Sequence, residues 1–204
     1  MNDTSIIITN CCYSHLLPRT IRSAMMQVPE VLDVVVVDDA STDNVDQWVE
    51  PFLDDITFIK NPKNVGVAES ANIGIRAAKG RFVVRADADD FFSEDMCFFL
   101  RTFLVHNLEY FGVSCDYFLI SDNETKIERK CALTDPISCA IMYRRDVFLA
   151  WGGYKRDQRH REEEELRKRL GDLYKIGHIH IPFYRYWCHD FQKTKEDAYK
   201  EAKT

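Results

Sequence analysis

Short apolar runs alternate with amphipathic segments through the first 110 residues of this 204-residue chain. The apolar runs occupy positions 5–9, 32–37, 56–59 and 81–84, and segments with helical spacing lie between them at 16–27, 45–53 and 67–78. Helices that follow buried strands at this interval pack onto the faces of a parallel sheet. We therefore predict an α/β fold in which helices flank a mostly parallel, mixed central sheet.

The pattern changes after residue 110, where strands and helices no longer alternate regularly. Antiparallel strands are predicted at 111–121 and 126–133, around a polar turn at 122–124. A further segment follows at 138–143, short helices are expected at 146–150 and 161–170, and one or two more strands are expected within 174–187. No linker separates the two parts, so we predict one domain over residues 1–190 and a polar tail at 191–204.

Three carboxylates, Asp87, Asp89 and Asp90, follow the apolar run at 81–84. Carboxylates packed so closely repel one another unless a cation relieves them, and hard divalent cations take oxygen ligands. In open α/β sheets, ligands bind at the carboxyl edge of the strands, where this acidic cluster would lie. The acids and the following residues 93–95 also suit the start of a helix. Two interpretations stay open, a metal site that takes substrate phosphates and an acidic helix start.

The composition of the chain argues against several kinds of binding partner and of stabilising site. A net charge of -6 argues against nucleic acid. No apolar run approaches the ~20 residues that span a bilayer, and the first residues lack the basic segment of a signal peptide. The seven cysteines show no Cys-x-x-Cys spacing, which argues against a zinc site or a disulfide framework. We expect a cytoplasmic protein with reduced thiols, and peripheral contact with a membrane stays open.

Six short motifs occur in order along the chain. They are Val-Val-Asp-Asp-Ala-Ser-Thr-Asp-Asn at 36–44, Asn-Val-Gly-Val-Ala at 64–68, Asn-Ile-Gly-Ile at 72–75, Ala-Asp-Ala-Asp-Asp at 86–90, Gly-Gly-Tyr at 152–154 and Glu-Glu-Glu-Glu-Leu at 162–166. In this order they resemble the GT-A-fold family 2 glycosyltransferases, which are inverting enzymes that use nucleotide-sugar donors. The resemblance covers roughly residues 4 to 190. It implies a nucleotide-binding half at 1–110 and an acceptor-side half at 111–190.

The resemblance also implies a role for each matching position. Nucleotide binding falls to residues at strand ends and in the loops and helix that follow them: Thr9, Asn10, Cys11, Asp38, Asp39, Asn64, Gly66, Asn72, Asp87 and Ala88. Within that set, Asp39 is expected to hydrogen-bond the base and Asp87 to lie near the ribose. Asp89 is the expected ligand of a divalent Mn or Mg ion, with His189 as a second, less closely matched one. Glu163 is the expected general base.

The chemistry of sugar transfer explains why a metal ion and a general base would be needed. The nucleoside diphosphate leaving group gains negative charge, which a divalent ion at Asp89 would neutralise. The acceptor hydroxyl must lose a proton, and a carboxylate such as Glu163 can accept it, which is typically worth about 10²–10⁴-fold in rate. Because Asp39 can accept a hydrogen bond from N3–H of uracil, the predicted donor is a UDP-sugar. The predicted acceptor is a glycan or glycolipid, in polysaccharide or glycoconjugate biosynthesis.

Departures from the family pattern leave some assignments open. Residues 9–12 lack the aromatic side chain that the family places against the base. Ala71 stands where the family often has an arginine that approaches the diphosphate, so Arg85 or Arg76 would have to replace it. The four consecutive glutamates at 162–165 leave the position of the base uncertain by one residue.

Simpler interpretations also compete with the functional ones. Asp38 and Asp39 could only cap the following helix, and the glutamate run could be a solvated helix face. His178 and His180 alternate along a strand and are more often structural. Two other functions stay open. One is a sugar-phosphate nucleotidyltransferase, although residues 9–15 lack the usual glycine-rich loop. The other is a non-catalytic relative that binds nucleotide or glycan.

Overall fold

A computed structural model describes residues 3–121, 125–158 and 161–188. The strands in this part of the chain are β1 (Thr4–Asn10), β2 (Asp33–Asp38), β3 (Thr57–Lys60), β4 (Phe82–Asp87), β5 (Phe91–Phe92), β6 (Gly112–Ile120), β7 (Lys126–Lys130), β8 (Ile141–Arg144) and β9 (Ile176–Trp187). They form one sheet in the order β3-β2-β1-β4-β8-β6-β9-β5, with β7 paired to β6.

Helices cover both faces of this sheet. They are α1 (Leu17–Met25), α2 (Asp46–Val49), α3 (Val67–Ala77), α4 (Met96–His106), α5 (Arg145–Ala150) and α6 (Glu162–Leu170). Successive strand residues point to opposite faces. Ile6 and Ile8 of β1 therefore join one core with α1 and α4, and Ile7 joins the other core with α3, α5 and α6. The continuous apolar character of β1 follows from this burial on both faces.

The first half of the chain builds a parallel block. β1 lies between β2 and β4, and β3 extends the block beyond β2. The register places Thr9 beside Asp87 and Asn10 beside Asp38. The carboxyl ends of β1, β2 and β4 therefore meet at one edge of the sheet, and polar residues collect there.

The second half extends the sheet with strands of both directions. β8 runs antiparallel to β4, β6 runs antiparallel to β8, and β9 runs parallel to β6. The β6–β9 ladder is irregular: β6 advances one residue from Cys115 to Asp116 while β9 advances three, from Ile179 to Pro182. The predicted mixed, mostly parallel sheet with flanking helices is confirmed.

Several element boundaries differ from the sequence prediction. The helix expected at 45–53 is divided into α2 and a 3-10 turn at 50–52, because Pro51 has no backbone N–H to donate. The helix start at 93–95 develops into the full helix α4, and 174–187 holds one long strand. The predicted turn at 122–124 and tail at 191–204 lie outside the described residues. Within the described residues, no helix is long and apolar enough to cross a membrane.

Candidate active site

Polar side chains converge at the edge where β1, β2 and β4 end. The Thr9 hydroxyl donates to Asp87 Oδ1 over 2.8 Å, and the Asn10 amide donates to Asp38 Oδ1 over 2.8 Å. The Ala88 N–H donates to the Thr9 carbonyl over 3.0 Å, which keeps the chain after β4 attached to β1. Five of the predicted nucleotide-binding residues are thus neighbours.

Asp39 organises the loop that leads into α3. Its Oδ1 accepts from the Asn61 amide at 3.0 Å and the Val65 N–H at 2.8 Å, and its Oδ2 accepts from the Gly66 N–H at 2.8 Å. Gly66 has a φ of +87°, a conformation that favours glycine. Three of the about four acceptor positions of the buried Asp39 are therefore used within the protein.

Two further predicted residues lie beside this loop. The Asn64 amide donates to the Asp39 carbonyl at 3.2 Å and to Cys11 Sγ at 3.4 Å. Asn64 is exposed and Cys11 is partly exposed, so both are accessible from solvent at this edge.

Asn72 has a different environment, because it is buried in α3. Its amide donates to the Tyr154 carbonyl over 2.8 Å, and its Oδ1 accepts from the Tyr154 N–H over 3.0 Å. These bonds join α3 to the loop after α5, which gives Asn72 a structural role. Its predicted contact with a nucleotide stays a prediction.

A chain of charged side chains runs from the strand edge to α6. Arg85 is 5% exposed, and it donates to Asp87 Oδ1 over 3.1 Å and to Glu162 Oε1 over 2.5 Å. Burial acts to lower the pKa of Arg85, but nearby acidic groups, with Asp87 the strongest, raise that pKa well above its usual value. The suggestion that Arg85 replaces the missing diphosphate-contacting arginine is therefore not supported, since two carboxylates engage it. Arg76 instead pairs with Glu69, at 2.8 Å.

Glu163 follows Glu162 in the first turn of α6 and is 2% exposed. Its Oε2 accepts from the Tyr143 hydroxyl over 2.5 Å, and its Oε1 lies 3.8 Å from Arg167 Nη2. Burial raises the pKa of Glu163 to about 7, although the Tyr143 hydrogen bond and the charge of Arg167 oppose the rise. A carboxyl group that titrates near neutral pH suits proton transfer.

The four glutamates of α6 are therefore not equivalent. Glu162 and Glu163 are buried, whereas Glu164 is exposed and Glu165 pairs with Arg169 at 3.0 Å. The alternative interpretation of the glutamate run as a solvated helix face therefore holds for Glu164 but not for the buried Glu162 and Glu163.

The three acids of the acidic cluster also have different surroundings. Asp90 is 1% exposed and accepts from the Tyr184 hydroxyl at 2.7 Å and the Trp187 N–H at 2.9 Å. Burial raises the pKa of Asp90, and the charges of Asp89 and Asp87 raise it further. Asp87 and Asp89 are partly exposed. The hydrogen bonds of Asp90 thus connect β9 to the end of β4. Asp87 and Asp89 are the two acids of the cluster with solvent-accessible side chains.

The acidic cluster offers ligands suited to Mn²⁺ or Mg²⁺, which prefer oxygen. Atoms of Asp87, Asp90 and Cys139 lie within 4.8 Å of one another. Burial raises the pKa of the Cys139 thiol well above its usual value, which makes this sulfur a poor ligand for a hard cation. Asp87 and Asp89 carry the carboxylate oxygens that such an ion prefers, although Asp89 is not one of those three residues, and His189 lies outside the described residues.

The sequence was compared with models of known protein families. The model of glycosyl transferase family 2 matches residues 5–187, which is most of the chain. The chain belongs to glycosyl transferase family 2. The expected family is thereby confirmed.

Curated relatives of this family 2 chain match a little under half of its length. An uncharacterized glycosyltransferase of Haemophilus influenzae is 32% identical over 93 residues, covering 46% of this chain and 31% of the relative. The Escherichia coli protein UDP-Glc:alpha-D-GlcNAc-diphosphoundecaprenol beta-1,3-glucosyltransferase WfaP is 32% identical over 92 residues, covering 45% of this chain and 37% of the relative. These matches span only about a third of each relative's length.

Solved structures share the fold of the family 2 chain. TarS 1–349 of S. aureus, in complex with UDP, has a TM-score of 0.74 at 18% identity, covering 98% of this chain and 63% of that one. The mannosyltransferase PcManGT of Pyrobaculum calidifontis, in complex with GDP-Man and Mn²⁺, has a TM-score of 0.73 at 18% identity, covering 97% and 59%. At this identity the likeness establishes the GT-A fold alone.

Sequence reasoning missed several contacts at the candidate site. It did not pair Arg85 with Glu162, and it did not place Tyr143 against Glu163 or Tyr184 against Asp90. The sequence did contain one indication of the Arg85 pairing. Arg85 adjoins an apolar strand, and a buried charge requires a partner of opposite charge. The partners of Arg85 could have been sought among the acids of the second half. The two tyrosines gave no such signal.

Proposed function

We propose that this chain transfers a sugar from a nucleotide-diphosphate donor to an acceptor hydroxyl, with inversion at the anomeric carbon. The observation that carries the proposal is the continuous link between Asp87 at the strand edge and α6, through Arg85 and Glu162. It joins a donor-side group to the helix that bears Glu163, a buried carboxyl group whose pKa is about 7. The proposed donor site and the proposed proton acceptor would thus be connected by direct contacts.

The proposed donor is a UDP-sugar. The remaining acceptor position of Asp39 would take the N3–H of uracil, and Thr9, Asn10 and Cys11 would lie against the base. The name of the E. coli relative includes UDP-Glc, and the S. aureus structure holds UDP. The P. calidifontis structure holds GDP-Man, so the base must be decided by experiment.

The proposed cofactor is Mn²⁺ or Mg²⁺, held by Asp89 with Asp87 beside it. Such an ion would supply neutralisation of the charge that develops on the diphosphate. Burial raises the pKa of Asp90, and its carboxyl group accepts a hydrogen bond from the Trp187 N–H of β9. The partly exposed Asp87 and Asp89 would therefore be the acids that hold the ion.

The proposed general base is Glu163. A single inverting displacement requires one group to accept the proton of the attacking hydroxyl. With a pKa of about 7, Glu163 would be deprotonated above neutral pH, and the rate of transfer should rise through that range. The proposed acceptor is a glycan or glycolipid, which fits the diphosphoundecaprenol substrate in the name of the E. coli relative.

Calorimetry of nucleotide binding tests the donor and the metal together. UDP, GDP, dTDP and CMP are titrated with and without Mn²⁺. We expect UDP to bind most tightly, and Mn²⁺ to strengthen binding in the wild type but not in Asp89→Ala. Asp54→Ala removes an exposed acid from a turn and serves as the matched control. Preference for GDP or CMP would overturn the donor assignment, and full metal enhancement in Asp89→Ala would overturn the ligand assignment.

Transfer assays test the base. Glu163→Gln keeps the size of the side chain and removes its basicity, so the rate should fall by about two or more orders of magnitude while nucleotide affinity persists. Glu164→Gln, an exposed change in the same turn, should keep the wild-type rate. Release of pyrophosphate from UTP and a sugar phosphate would instead favour a nucleotidyltransferase. Binding without any turnover would favour a non-catalytic relative.

A further inference from the structure

We propose that the chain holds a zinc ion at a second site, formed by Asp116, Cys131, His178 and His180. One ligand atom from each of these residues lies within 4.8 Å of the others. Asp116 is in β6, both histidines are in β9, and Cys131 directly follows β7. We call these four residues the β6–β9 cluster.

Two potential ligand atoms converge on one ring nitrogen. His178 Nε2 lies 2.7 Å from Asp116 Oδ1 and 3.5 Å from Cys131 Sγ. His180 Nδ1 lies 4.0 Å from the same oxygen of Asp116. Zinc bonds of about 2.0–2.3 Å in a tetrahedron keep the ligand atoms about 3.3–3.8 Å apart. The 2.7 Å separation is below this range, the 3.5 Å separation is within it, and the 4.0 Å separation is above it. Small side-chain shifts would therefore bring all four ligand atoms to the distances of a zinc centre.

Outer contacts already orient two of these ligands. Ser114 Oγ lies 2.8 Å from His178 Nδ1 and donates its own proton to the Gly177 carbonyl over 3.3 Å. With its proton on Nδ1, donated to Ser114, His178 would present the Nε2 lone pair to a zinc ion, and the ion would replace the present 2.7 Å contact between Nε2 and Asp116 Oδ1. Arg129 donates twice to Asp116 Oδ2, at 2.5 and 2.9 Å, which leaves Oδ1 for a metal. Metal-binding histidines and carboxylates are commonly held by such contacts.

The irregular part of β9 brings both histidines to the same place. Because β9 advances three residues while β6 advances from Cys115 to Asp116, His180 and Ile181 are additional residues in β9. Such bulges re-aim side chains and occur preferentially next to functional sites. Here the rings of His178 and His180 have centroids 4.6 Å apart, and both rings approach Asp116.

Two simpler explanations fit the contacts less well. A Cys–His–Asp catalytic triad requires the thiol and the carboxylate on opposite ring nitrogens. In the β6–β9 cluster both approach Nε2 of His178, and Ser114 occupies the Nδ1 side. A plain ion pair between His178 and Asp116 leaves the approach of Cys131 and His180 unexplained.

The chemistry of the ligands selects zinc over the ion proposed for the acidic cluster. A thiolate and two imidazoles suit Zn²⁺, whereas Mg²⁺ and Mn²⁺ prefer an all-oxygen environment. The two sites also use different parts of β9, since the acidic cluster contacts Tyr184 and Trp187, whereas His178 and His180 lie at least four residues earlier in that strand. The zinc proposal is therefore independent of the proposed sugar transfer. A bound ion would clamp β6, β9 and the end of β7 to one another.

Metal titration of the full chain tests this proposal. The protein is stripped with a chelator, and Zn²⁺ binding is measured by competition with a chromogenic chelator. Co²⁺ is then used as a spectroscopic substitute, because a thiolate ligand adds a sulfur-to-cobalt charge-transfer band. We expect one tightly bound Zn²⁺ per chain, and a Co²⁺ spectrum with the strong visible bands of a tetrahedral site together with the thiolate band.

Substitutions in the β6–β9 cluster test whether the Zn²⁺ affinity and the Co²⁺ spectrum arise from these four residues. Cys131→Ser should remove the thiolate band, and His180→Ala should weaken Zn²⁺ binding by roughly tenfold or more. The His180 side chain is 72% exposed, so this variant folds even if Cys131→Ser does not. The controls Cys12→Ser and His106→Ala, both at exposed positions, should keep the wild-type behaviour. Absence of stoichiometric Zn²⁺, a Co²⁺ complex without the thiolate band, or unchanged affinity in His180→Ala would overturn the proposal.

Discussion

Replacement of Glu163 by glutamine should change how the stability of the protein depends on pH. The carboxyl group is buried and its pKa is raised from 4.5 to about 7. Below pH 4.5 it is protonated in both the folded and the unfolded chain, so its stability contribution is fully present. As the pH rises to about 7, the unfolded chain releases the proton before the folded one does, and the folded state loses stability.

The size of this loss follows from the two pKa values. Each tenfold difference in proton affinity corresponds to about 1.4 kcal/mol. The rise from 4.5 to about 7 therefore removes on the order of 3 kcal/mol of stability by about pH 8. Glutamine is neutral at every pH, and its amide oxygen can still accept the bond from Tyr143. Glu163→Gln should accordingly match the wild type near pH 4 and be more stable by about 3 kcal/mol near pH 8.

Urea unfolding at a series of pH values measures this difference. Glu164→Gln is the control, because an exposed substitution in the same turn should change stability by less than about 0.5 kcal/mol at any pH. A constant difference between Glu163→Gln and the wild type would refute the argument that burial raises the pKa. A difference that favours the wild type more strongly at high pH would refute its sign.

Three further predictions concern packing, the buried ion pair and the thiols. Gly74→Ala should destabilise the protein by about 1–3 kcal/mol in urea unfolding, because a Cβ there would lie 2.5 Å from a β1 side-chain carbon; an unchanged midpoint would contradict the tight packing. Arg85→Met should cost about 3–5 kcal/mol, since it leaves the buried Glu162 unpaired, and adding Glu162→Gln should recover part of that loss; no recovery would argue against the pair. Iodoacetamide should label the exposed Cys12 before Cys115, whose pKa burial raises to about 12; mass spectrometry showing equal rates would contradict this burial.

Local sequence patterns were sufficient to predict the parallel half of the fold. The apolar runs of β1, β2 and β4 are short, β-branched and followed by helical segments, so each run specifies its own element. The positions of Asp38 and Asp87 then follow, because residues at the carboxyl ends of parallel strands share one edge.

Contacts between distant strands could not be predicted in the same way. β6 pairs with β9 across about 65 residues, and although Pro182 marks an irregular point in β9, nothing local indicates which strand lies beside it. The sequence argument against zinc relied on the spacing of the cysteines, and it treated His178 and His180 as structural, whereas the proposed ligands come from three segments. The pairing of Arg85 with Glu162 likewise joins residues 77 positions apart. Tertiary packing, rather than propensity, sets these contacts.

The last described strand also affects when the site becomes complete during synthesis. Asp90 emerges from the ribosome long before Tyr184 and Trp187, the two β9 residues that hydrogen-bond its carboxyl group. Pairings of such long sequence separation are slow to form, because closing the long loop between them costs entropy before the contacts stabilise the fold. A nascent chain can therefore assemble its parallel strands while the acidic edge still lacks these two bonds. The hydrogen bonds to Asp90 can form only after β9 has been synthesised. The strand edge is therefore completed later than the parallel strands of the first half.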